Sequence, residues 1–170
     1  MSTRIARWLE LLSNVAVIIA AVTVVAILVR REWPAPEPGA AENLQGATIN
    51  LPALIGTAPK RSLVMFISET CHFCEQEMSF YRTLREALPR DTTLVAVFPR
   101  QESEPPVNFL AARSVRVDNV AITNSLIGIG VRSTPTLLLV DADGRVRRAW
   151  IGAQPEAAHR DIVASAGREL

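Results

Sequence analysis

The chain has 170 residues, 49 % hydrophobic and 21 % charged, with 18 Lys and Arg against 17 Asp and Glu and only two cysteines. From Glu32 onward 14 basic residues face 16 acidic ones, which leaves no clustered positive surface and excludes nucleic acid as a partner. Two cysteines make no disulfide framework, so an apolar core must hold the fold, and the roughly 139 residues behind position 31 suffice for one such domain.

Behind a short flank, residues 1–10, the first element is an apolar run. Between Leu11 and Val29 only Ser13, Asn14 and Thr23 are polar. A helix of that length rises about 28 Å, close to the roughly 30 Å of bilayer hydrocarbon. Arg30 and Arg31 follow at once, where a cleavable signal peptide would carry small residues, so residues 11–31 are expected to form an uncleaved transmembrane anchor in the lipid bilayer. Arg4 and Arg7 balance Arg30 and Arg31, and charge alone does not orient the span. Residues 32–46, EWPAPEPGAAENLQG, hold three prolines and three glutamates and read as an extended tether. The domain is expected over 47–170.

Within it, strands alternate with helices. SLVMFIS (62–68) and TTLVAVFP (92–99) are continuous apolar runs suited to strands covered on both faces, and the helical stretch between them implies a right-handed parallel crossover. A second helix is expected from Pro105 and Pro106 through VNFLAAR. Residues 134–152 then give an apolar strand, an Asp143–Gly144 turn and a further strand, a hairpin pattern. The C-terminal stretch reads as a closing amphipathic helix with Ala157, Ile162 and Ala166 on its inner face.

Both cysteines lie in SETCHFCEQEM (68–78), three positions apart. As a staple the pair is poor, since so small a loop removes only roughly 2 kcal/mol of unfolded-state entropy and its geometry favours easy reduction. As a structural zinc site it is incomplete, with His72, His159 and carboxylates the only other donors, and Glu75 occupies the position where haem attachment requires histidine. Two thiolates suit Cu(I), which keeps a copper chaperone in view as the binding-module alternative. As a dithiol the placement makes chemical sense. Cys71 follows a buried strand and opens a helix, where unpaired N–H groups favour the thiolate; cysteines so placed ionise at roughly 3.5–7.5 against about 8.5 for a free thiol. Cys74, one turn in, is the shielded resolving thiol. His72 either adds positive charge beside Cys71 or is a solvated loop residue. On a helical wheel Cys74, Glu77, Tyr81, Leu84 and Leu88 share a stripe, so Glu77 is either an acid on the apolar face, placed to take the Cys74 proton, or a first-turn acid reaching solvent. Glu75, Ser79, Arg82 and Glu86 form a polar face.

Strand, C-x-x-C, helix, strand and a later STPT leading into a strand resemble the thioredoxin superfamily from about Ala47 to Leu170, which implies an α/β fold with a central mixed sheet flanked by helices. The resemblance implies that Pro135 is a cis-proline beside the cysteines, that the Thr134 backbone pairs with substrate, and that His72 and Phe73 form part of the contact surface. It is nearest in pattern to membrane-anchored TlpA/ResA-like redoxins, which carry an acid where Glu77 stands and an ending like GVRSTPTLLLVDADGRV (130–146). Two positions depart from that pattern: Thr70 replaces the usual tryptophan and Phe73 the usual proline, which leaves the sulfur chemistry in place but alters the surface beside it and the reduction potential. The expected activity is protein thiol-disulfide exchange, most naturally as a reductant, with Cys71 as attacking and Cys74 as resolving thiol. No cofactor is expected beyond the Cys71–Cys74 disulfide. The implied partners are protein disulfide clients and a membrane electron-donor protein, and the implied location is a single-pass cell-membrane protein with its domain in the periplasm or outside the cell. A redox-inactive assembly scaffold on the same fold is the remaining alternative.

Overall fold

The computed structural model describes residues 15–25, 44–56, 59–100 and 106–168. The chain divides into a unit of residues 1–37 and a unit of residues 38–170. In the first, residues 15–25 are helical with their aliphatic side chains exposed, and the Thr23 hydroxyl donates to the Ile19 carbonyl at 2.8 Å. The expected span over 11–31 otherwise lies outside the described residues, and among those described no helix is long and apolar enough to cross a membrane.

The second unit runs α1 (Leu51–Ile55), β1 (Arg61–Phe66), α2 (His72–Gln76), α3 (Met78–Ala87), β2 (Thr92–Pro99), α4 (Pro106–Ala112), β3 (Asn119–Thr123), a 3₁₀ turn (Ile127–Ile129), β4 (Thr136–Asp141), β5 (Val146–Ile151) and α5 (Glu156–Gly167). The strands form one mixed sheet in the order β3-β2-β1-β4-β5. β1 pairs parallel with β2, and β2 with β3; β4 runs antiparallel to both β1 and β5. The three central strands are the continuous apolar runs, because a strand with a neighbour on each side and helices above and below has no solvated position for a polar side chain. The outer strands β3 and β5 mix buried with exposed residues.

Alternate residues of the central strands feed two cores. Leu63, Met65, Leu94, Ala96, Leu137 and Leu139 pack with Tyr81, Leu84, Leu110 and Ile162 from the helices. Val64, Phe66, Val95, Val97, Leu138 and Val140 pack on the opposite face with Leu44, Ile49 and Leu51. Packing thus reaches back to Leu44, which is only 6 % exposed. That N-terminal stretch is held by backbone bonds to the hairpin, Gly46 N–H to Val146 O at 2.8 Å and Ile49 N–H to Gly144 O at 2.7 Å. Gly144 has φ 78°, and a Cβ there would collide with the Ile49 carbonyl oxygen, so the turn needs glycine on both counts.

The structure corrects two details of the sequence pattern and adds two elements. Ala157 is exposed, because it lies five positions before Ile162, about 140° away on a helix; the buried stripe of α5 is Ile162, Ser165 and Ala166, with His159 half-buried in line with it. The helix after Cys71 is not continuous but breaks at Glu77, whose N–H is shared between the Cys74 and Glu75 carbonyls. α1 and β3 were not anticipated. β3 is an edge strand with one buried position in five, so it shows neither an apolar run nor clean alternation.

Candidate active site

β1 delivers the chain to a turn, Ser68 to Thr70, after which Cys71 caps α2 in an extended conformation. Its Sγ accepts a hydrogen bond from the Cys74 N–H at 3.1 Å. α2 has only five residues, so this direct contact with a first-turn N–H, rather than a long helix dipole, is what favours negative charge on the sulfur. Cys71 and Cys74 are joined as a disulfide with their Cα atoms 5.2 Å apart. Cys71 is half-buried and Cys74 fully buried, so an incoming partner has access to the first sulfur only.

The Thr134–Pro135 peptide is cis and brings the Thr134 carbonyl oxygen 3.3 Å from the Cys71 Sγ. In the reduced state a protonated thiol there has an acceptor to donate to, while a thiolate faces the negative end of the same carbonyl. The Cys74 N–H and the Thr134 carbonyl therefore act on the Cys71 proton in opposite senses. Pro135 is buried and its carbonyl accepts from Gly152 N–H at 2.8 Å, which ties the loop before β4 to the end of β5. His72 and Phe73 are exposed beside the disulfide, with their rings edge to face at 5.9 Å, and His72 Nε2 contacts the Gln76 side chain at 3.1 Å.

Cys74, Glu77, Tyr81, Leu84 and Leu88 are all buried, so the stripe read from the sequence is the inner face of α2 and α3. Glu77 is 5 % exposed, and both of its carboxylate oxygens are engaged: Oε1 accepts from the Gln154 backbone N–H at 3.1 Å, and Oε2 meets His159 Nε2 at 2.7 Å. The His159 ring lies flat on Phe80, 4.0 Å between centroids with planes 3° apart. One turn beyond Glu77 the Tyr81 hydroxyl is fully buried with no hydrogen-bond partner among the described residues. Burial, and secondarily the Glu77 charge, push this phenol above its ordinary range, so it stays protonated. On the outer face Glu75 pairs with Arg113, whose guanidinium lies 3.8 Å from the Phe109 ring centroid.

The structure thus brings together Cys71, Cys74, Thr134 and Pro135, places His72 and Phe73 on the adjacent surface, and sets Glu77 one turn inside. Gln154 and His159 were not anticipated at this site. The signal available was the spacing of His159, Ile162 and Ala166, which puts a histidine on the stripe that packs inward. Among the described residues no group of three or more His, Cys, Asp or Glu side chains is arranged to hold a metal.

A thioredoxin-like domain model matches residues 53–166. No curated protein sequence is significantly similar to the chain. Solved structures that superpose on it include StoA from Bacillus subtilis, at 13 % identity over 71 % of this chain and 97 % of that one with a TM-score of 0.54. The thioredoxin domain of a Bacteroides vulgatus thiol-disulfide oxidoreductase superposes at 15 % identity over 65 % and 81 % with a TM-score of 0.54. A secreted Mycobacterium tuberculosis disulfide oxidoreductase homologous to E. coli DsbE does so at 19 % identity over 73 % and 85 % with a TM-score of 0.50. The domain match spans more than half the chain and covers every residue of the site, and on that ground the chain belongs to the thioredoxin-like family.

Proposed function

We propose that the protein is a thiol-disulfide oxidoreductase that reduces disulfides in protein clients. The observation that carries the exchange chemistry is the asymmetry of the pair, with Cys71 half-exposed under the Thr134 carbonyl and receiving an N–H bond and Cys74 sealed behind it, while the reducing direction rests on the family resemblance. The Cys71 thiolate attacks one sulfur of a client disulfide, whose partner sulfur leaves as a thiolate. The Cys74 thiolate then attacks the Cys71 sulfur of the mixed disulfide, forming the Cys71–Cys74 bond and expelling the second client thiolate. The client gains two electrons and two protons, and the enzyme ends oxidised. Phe73 and His72 offer an apolar and a polar contact beside the reacting sulfur, and the Thr134 backbone an edge for an extended client segment.

Residues 11–31 serve in this proposal as an uncleaved anchor, with the domain outside the cytoplasm and a membrane protein returning electrons to the disulfide. The support is the apolar run closed by Arg30 and Arg31 together with the family resemblance. The test is the equilibrium potential of the 71/74 couple against glutathione, combined with turnover of a model disulfide. A potential near or below the glutathione range with turnover supports a reductant; one well above it makes the protein an oxidant. Stoichiometric Cu(I) binding without exchange would instead establish the copper-chaperone reading.

A further inference from the structure

Resolution of the mixed disulfide requires Cys74 to lose its proton, yet Cys74 has no exposed surface and the acid one turn on, Glu77, is only 5 % exposed. A proton delivered to Glu77 needs a way out. The carboxylate has one contact that carries no ionisable group, the Gln154 backbone N–H, and one that does, His159 Nε2. The His159 side chain is 21 % exposed against 6 % for that of Glu77, so the imidazole bridges the buried acid and solvent. Its plane is set by the Phe80 ring, which holds Nε2 on the carboxylate.

Resting on the dithiol reading above, we infer that His159 is the positioning residue of the resolving half-reaction: it orients Glu77 and carries onward to solvent the proton that Glu77 receives from Cys74. An imidazole binds a proton at one nitrogen and releases one from the other, so the pair Glu77–His159 holds the Cys74 proton as carboxylic acid with imidazole or as carboxylate with imidazolium. In the second form the proton sits on the group that reaches water. Electrons are not involved in this step; the thiolate it leaves on Cys74 then supplies the pair for the new S–S bond. The groups facing His159 are few. Glu77 comes from the α2–α3 junction, α3 contributes Phe80, Thr83 and Ala87, none of which titrates, and Glu156 and Arg160 flank it on its own helix. Glu77 is thus the one ionisable group from another element that is in contact with the ring among the described residues.

The two half-reactions separate in a stopped-flow experiment with the full reduced protein and the aromatic disulfide 5,5′-dithiobis(2-nitrobenzoate). The first coloured thiolate reports attack by Cys71, and the second reports resolution by Cys74. In His159→Gln, which keeps a donor toward Glu77 but cannot pass a proton, the second phase should slow by roughly 10- to 100-fold near pH 7 and its dependence on pH should change, with the first phase unchanged. Added imidazole should restore the second phase in His159→Ala. An unchanged second-phase profile in His159→Gln, or equal slowing of both phases without imidazole rescue in His159→Ala, overturns the inference while leaving the dithiol reading standing. No coloured thiolate released by Cys74 in the unaltered protein overturns both.

Discussion

On one face of the sheet, Leu63, Met65 and Leu139 lie under α3 and α5 together with Cys74, Glu77, Tyr81 and His159; on the other, Val64, Phe66 and Leu138 lie under Leu44, Ile49 and Leu51. The two sets of residues alternate along the same strands, but the second cluster is aliphatic and aromatic throughout. Burying a carboxylate without partners costs several kcal/mol, and Glu77 is tolerated because a backbone N–H and an imidazole occupy its two oxygens. The Tyr81 hydroxyl has no such partner among the described residues. The difference teaches a division of labour: the face that carries chemistry accepts a buried carboxylate and a phenol, whereas on the opposite face the buried polar groups are small hydroxyls, Thr136 and Ser62, the latter without a hydrogen-bond partner among the described residues, set among aliphatic and aromatic side chains.

That comparison can be broken or sharpened by substitution on each face in turn. The largest effect is expected from Cys71→Ser, which should abolish reduction of a model disulfide, whereas Cys74→Ser should accumulate mixed disulfides visible on a non-reducing gel. Comparable turnover in the Cys71→Ser protein would sink the assignment of chemistry to this face. Next is Leu138→Ala on the opposite face, fully buried, which should lower the unfolding free energy in urea by about 3 kcal/mol while leaving the exchange rate per folded molecule within a factor of two. A matching fall in that rate would mean the faces are not separable. Glu77→Gln should slow resolution by roughly a hundredfold, read as the second phase of the same stopped-flow trace, because the amide preserves shape but accepts no proton. Slowing of the first phase instead would place Glu77 with Cys71 rather than Cys74.

The smallest effect concerns the hairpin that both faces share. Burial alone would raise the Asp141 carboxyl, but hydrogen bonds from the Arg145 N–H and the Arg147 guanidinium, the Arg147 charge, and the Asp143 N–H together hold it below the ordinary carboxylate value. A carboxyl lowered in the folded state stabilises the fold above its unfolded pKa of about 3.9, and the contribution is lost as pH falls through the lower folded value. Asp141→Asn should therefore be less stable than the unaltered protein at neutral pH, and the gap should close in acid as the lowered carboxyl is protonated in the folded state. A gap independent of pH would assign the contribution to hydrogen bonding alone.

Much of this was legible in residue order. The runs at 62–68 and 92–99 are β1 and β2 nearly to the residue, and Asp143–Gly144 does turn a hairpin, since each depends on neighbours within a few positions. Cys71 at a helix start with Cys74 one turn in follows from the same local periodicity. β3 was hidden because an edge strand half in solvent carries a mixed pattern, and Ala157 was misplaced because helical phase must be counted from a buried residue.

Residue order alone determined β1, β2, the β4–β5 hairpin, the helices α3 to α5 and that two thiols stand one turn apart at a helix start, because backbone geometry repeats every two or 3.6 residues and needs no distant partner. Tertiary structure alone decided that Thr134, 63 positions from Cys71, lies over its sulfur, and that His159, 82 positions from Glu77, closes on its carboxylate. Those contacts are set by sheet order and by the way α5 packs on α3, and no local period encodes them.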